Sequence, residues 1–108
     1  MVKKVKPFRE QMIELMEQKI ISFRQLDYMT GKSGSYLNMV TTGKKPSPPV
    51  KTMEIIAKAL GVTPEYFDEY RIKKAKEIIE ENPEIADAII AEDKSRTRAK
   101  REGKSKVG

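Results

Sequence analysis

Apolar residues recur at helical spacing through most of the chain. Phe8, Met12, Leu15 and Met16 form one stripe, and Pro7 suits the first turn of a helix. The spacing therefore predicts a first helix from Pro7 to about Lys19. Ser22 and Gln25, three apart, form a capping box, with Ile21 and Leu26 at the positions of a hydrophobic staple. A second helix is expected from Phe23 to Thr30, with Leu26 and Met29 on one side. Gly31 ends it, since a left-handed C-terminal residue costs glycine little. Ser33 caps a third helix, Gly34 to about Thr41, with Leu37 and Val40 inward and Gly43 at its end.

Prolines 46, 48 and 49 forbid a regular helix in the next segment, which is a stiff loop led by Lys44 and Lys45. Val50, Met53, Ile56, Ala57 and Leu60 mark a fourth helix, closed by Gly61. Thr63, Pro64 and Glu65 read as cap, first-position proline and first-turn acid. They predict a short fifth helix, Pro64 to Glu69, stapled by Val62 and Phe67. Tyr70 to Glu81 is a sixth, with Ile72, Ala75, Ile78 and Ile79 on one face. Asn82 and Pro83 break the pattern, and Ile85, Ala86, Ile89 and Ile90 carry a seventh to about Glu92. The fold class is all-α, with no segment of strand-like alternation and no internal repeat.

Charge divides the chain into three blocks. Residues 1–63 hold 11 Lys/Arg against 5 Asp/Glu, residues 64–93 hold 4 against 10, and residues 94–108 hold 7 against 1, for a net charge of +6. A basic body and tail suit a polyanion, and the acidic block should face away from one. The tail has only Ala99 and Val107 as aliphatics, too few to bury. It is expected to be disordered on its own. Cysteine and histidine are absent, which removes disulfides, the usual zinc ligands and the usual general base. With no phosphate-binding glycine loop and no evident acid–base pair, no enzyme, cofactor or metal is expected. The carboxylates of Glu77, Glu80, Glu81 and Glu84 are most simply a solvated helix face. No apolar run reaches the length of a membrane span, and no signal-peptide block follows the basic start, so a cytoplasmic protein is expected.

Two short helices joined by a glycine-containing turn fit a helix-turn-helix, and equally an ordinary helical hairpin. The flanking residues separate these. Ser22, Leu26, Gly31, Ser33, Tyr36-Leu37, Gly43, Lys44-Lys45-Pro46 and Ala57-Lys58-Ala59-Leu60-Gly61-Val62 stand in one order and spacing. In these residues the chain resembles the phage repressor/Cro-like helix-turn-helix regulators, over about residues 8–67. Phe23, Asp27 and Gly34 depart from the family pattern, which often has Gln, Ala and Gln or Arg there. The loop before the fourth helix carries one extra residue.

The resemblance implies a five-helix repressor-like bundle at 7–67; beyond it the residues themselves read as a C-terminal helical extension at 70–93 and a basic flexible tail at 94–108. It implies a sequence-specific regulator of double-stranded DNA, expected to be a repressor. Its third helix enters the major groove. Gly34, Ser35, Asn38, Met39 and Thr42 are the expected base-reading positions. Asn suits adenine, Ser either base and Met a thymine methyl, whereas each of these side chains has plain solvation as its simpler role. Arg24, Lys32, Tyr36, Lys44 and Lys45 are the expected phosphate contacts, with Tyr36 also able to pack inward. The isoleucine stripes of the last two helices pack internally or form a homodimer contact, and a homodimer is favoured. The alternative function is an antitoxin-type module of the same fold, holding a protein partner on acidic helices 70–92.

Overall fold

The computed structural model describes residues 4–107, and the side chains of residues 4–97. Helix α1 spans Phe8–Lys19, α2 Phe23–Thr30, α3 Gly34–Thr42 and α4 Val50–Ala59. A 3-10 turn follows at Pro64–Tyr66, then α5 at Asp68–Glu81 and α6 at Pro83–Val107. The chain divides into two compact units, the first ending at Lys74 inside α5.

The first unit is built by the capping chemistry that its sequence spells out. Ser22 accepts from the Gln25 backbone N–H at 3.2 Å, and the Gln25 side chain accepts from the Ser22 N–H at 2.8 Å. Both halves of the box are therefore made. Ser33 accepts from the Tyr36 N–H at 3.0 Å and starts α3. The apolar stripes of α1, α3 and α4 meet in one core around Phe8, Met12, Leu26, Leu37, Met53 and Ile56, each fully buried. Within it α2 packs against both α3 and α4, and α1 against α3.

The fifth expected helix is a single 3-10 turn. Phe67 leaves the helical conformation (φ −85°, ψ 123°), and its ring enters the core, 4.4 Å from that of Phe8. The Thr63 side chain makes no cap bond. Burial of an aromatic ring outweighs continuing a short, uncapped helix. The following helix accordingly begins at Asp68 rather than Tyr70.

The start of α5 belongs to the first unit and clasps it in three places. Pro7 gives α1 no side-chain cap, and the acids of α5 supply one. Asp68 Oδ2 accepts from the Lys6 N–H at 3.0 Å, and Glu69 accepts from the Phe8 N–H. Gln11 accepts from the Asp68 N–H and donates to the Tyr66 carbonyl. Tyr70 donates its hydroxyl to Glu54 at 2.7 Å, joining α5 to α4. The Lys73 ammonium donates to the carbonyls of Ser47 and Pro48 at 3.3 and 3.1 Å, holding the proline loop.

In the second unit Asn82 ends α5, its side-chain amide donating to the Ile78 carbonyl, and its own carbonyl accepts from the Ile85 N–H. Helix α6 continues past Glu92, where the apolar periodicity ends, to Val107. Ala, Glu, Lys and Arg are strong helix formers, and the pair Glu92–Arg96 links one turn to the next at 2.8 Å. The flexibility expected of 94–108 falls mainly on residues whose side chains lie outside the described ones. Ile72, Ile78, Ile89 and Ile90 are exposed. Among the described residues, no helix is long and apolar enough to cross a membrane.

Candidate nucleic-acid interface

Helix α3 has two sharply different sides. Leu37, Val40 and Thr41 are buried, whereas Ser35, Asn38 and Thr42 are exposed and Met39 and Gly34 half-buried. At 3.6 residues per turn, Asn38, Thr42, Ser35 and Met39 share one arc of about 100°, opposite Leu37 and Val40. Four of the five expected reading positions therefore share one outward face. The two threonines spend their donors within the helix. Thr41 donates to the Asn38 carbonyl at 2.8 Å and Thr42 to the Met39 carbonyl at 3.2 Å. The Thr42 hydroxyl is left as an acceptor outward, while the Ser35 and Asn38 side chains are exposed and have no partner among the described residues.

The turn before α3 is set by Gly31, at φ 72°. No atom lies within 4 Å of a Cβ placed there, so the backbone conformation alone calls for glycine. Thr30 donates to the Leu26 carbonyl and accepts from the Lys32 N–H, which closes the end of α2. Gly34 is different. A Cβ there would lie 4.0 Å from the Phe23 carbonyl oxygen, an ordinary contact. Packing does not require glycine at the first turn of α3. Asp27, which stands where the family pattern often has Ala, is half-buried, and α2 and α3 pack together nonetheless.

One expectation is corrected here, since Met29 does not share the buried side of Leu26. Met29 is 49% exposed. Helix α2 presents Leu26, with Phe23 and Thr30 beside it, to the core, and Met29 falls beside Gln25 on the outer side. Tyr36 is half-buried and packs against the core cluster, which is the inward alternative of its two readings.

The cations lie around α3 rather than on its outer face. Arg24 is exposed on α2 and Lys32 half-buried in the turn before α3. Lys44 and Lys45 are exposed just beyond its C-terminal cap, Gly43, at φ 81°. The Lys45 N–H donates to the Met39 carbonyl at 3.1 Å, tying this loop to the helix. Sequence reading missed two residues here. Lys73 holds the far side of the same loop, and the Arg9 guanidinium lies across Gly43. Each is brought in by tertiary packing, over separations that no local pattern spans.

A family model described as helix-turn-helix matches residues 12–67, more than half of the chain. The chain belongs to the helix-turn-helix family. The matched family is of the Cro/C1 type, and it covers α1 from Met12 through the 3-10 turn. Comparison with curated proteins and with solved structures found no match in either. As a helix-turn-helix protein, the chain is a DNA-binding transcriptional regulator, of a family that binds double-stranded DNA and is not an enzyme family.

Proposed function

We propose that this protein is a sequence-specific repressor that reads the major groove with α3. The observation that carries the reading is the division of α3 into a buried apolar side and an uncommitted polar side. Ser35 and Asn38 can bond base edges, Met39 can meet a thymine methyl, and Thr42 offers an acceptor. The bare backbone of Gly34, which packing does not require, admits close approach to the DNA. No Arg or Lys stands on this face, so the usual guanine contact is missing and A·T-containing sites are preferred.

Affinity then comes chiefly from the surrounding cations. A nine-residue helix is about 13 Å long, close to the groove width of about 12 Å. Arg24 and Lys32 towards one end, and Lys44 and Lys45 at the other, suit phosphates on either rim, with Tyr36 offering its hydroxyl beside them. The basic tail adds further phosphate contacts. The exposed isoleucines of α5 and α6 support a homodimer, which would read two half-sites about 34 Å apart. The same isoleucines, on acidic helices, are what an antitoxin-type partner surface would need.

Selection from random-sequence duplexes tests the first reading. It should enrich one motif built on A·T pairs. If a folded, active preparation enriches none, the partner-binding reading takes its place.

A further inference from the structure

We infer that Arg9, on the first turn of α1, is a third phosphate ligand at the C-terminal end of α3. With Lys44 and Lys45 it forms one cationic seat for a strand of the duplex. The inference rests on the reading of this chain as a groove-binding DNA regulator. A Cβ placed on Gly43 would lie 3.1 Å from Arg9 Nη1 and 3.7 Å from its Cζ, so the guanidinium rests directly on the residue that precedes Lys44. Arg9 is exposed, and among the described residues no carboxylate pairs with it.

Its position is poor for its own helix and good for its neighbour. A cation in the first turn faces the positive end of the α1 dipole. The same cation lies against the negative end of α3, which is satisfied only in part by the Gly43 and Lys45 N–H groups. The buried residues on either side of Arg9, Phe8 and Met12, fix α1 to the core, so the base of the Arg9 side chain is set beside the end of α3. A planar fork that lies at this helix end and is not neutralised matches the paired oxygens of a phosphate. It also stands where the lysines expected to grip the backbone begin. The competing role is purely structural, with Arg9 serving only to cap α3.

The two roles part in a salt titration. The full-length chain and its Arg9→Gln and Arg9→Lys variants are titrated with a mixed-sequence duplex longer than two helical turns, at several salt concentrations. Their thermal midpoints are measured in parallel. Losing one phosphate contact should reduce the slope of log affinity against log salt by about 0.9, and weaken binding at 0.1 M salt roughly eightfold. Arg9→Gln should show this loss, Arg9→Lys should keep most of the slope, and both should melt near the parent. A parent slope in Arg9→Gln overturns the inference. So does an Arg9→Lys that loses stability and slope together, the mark of a cap. If the parent chain itself shows no salt-dependent duplex binding, the groove-binding reading fails first, and that outcome is read from the parent alone.

Discussion

Among the described residues, Ile20 is the non-glycine residue with a positive φ. It caps α1 in the left-handed conformation, at φ 54° and ψ 51°, and is 86% exposed. A β-branched residue is disfavoured there, where glycine fits at no steric cost. The chain still makes the turn, because the Ile21 N–H reaches the Met16 carbonyl at 2.9 Å and Ile21 packs against the core. Replacing Ile20 with Gly should therefore stabilise the protein by about 1 kcal/mol. That is a rise of roughly 4–8 °C in the thermal midpoint of a domain of this size. An unchanged or lowered midpoint would mean that the exposed side chain makes contacts worth as much as the strain. At this scale the sequence was informative wherever a cap was concerned. Ser22, Gln25 and Ser33 declared their bonds in advance, because each cap is completed within three residues. The outward turn of Met29 was hidden, because a two-turn helix has too few residues for periodicity to pick its face.

Among the elements, the join between α1 and α5 explains most of what local patterns could not reveal. Carboxylates 61 and 62 residues away cap α1, and Lys73 braces a loop 25 and 26 residues before it. No window of sequence contains both partners. The same join ends the fifth helix early, since Phe67 serves the core and Asp68 serves α1. Asp68 is held below the ordinary carboxylate range chiefly by the Lys6 backbone N–H, with the Arg71 guanidinium adding to the effect against some desolvation. A carboxyl whose pKa falls on folding stabilises the protein above its unfolded value, and the contribution disappears as the pH drops through the folded one. Denaturant midpoints should thus decline on acidification below about pH 4. The Asp68→Asn variant should start lower at neutral pH and decline less steeply. Parallel curves would take Asp68 out of the clasp.

For the whole molecule, the arrangement of charge and the unburied isoleucines bear on assembly. The helix-turn-helix part was readable in advance because it is built from capped helices whose stripes share one core. The extension was less so, since its apolar residues do not declare what covers them. A homodimer through Ile78, Ile89 and Ile90 predicts a sedimentation mass about twice 12.4 kDa, with Ile89→Glu/Ile90→Glu falling to the monomer mass. Equal masses for the two proteins would exclude this contact. The central claim, that the outer face of α3 reads bases, is tested most directly by comparing two duplexes. One carries the selected motif and the other the same bases scrambled. Ser35→Ala/Asn38→Ala should lose the preference between them, since each good base contact is worth about 1–3 kcal/mol. Binding to the scrambled duplex should hardly change. A double variant that is folded and still prefers the motif as strongly as the parent would show that α3 is not the reader.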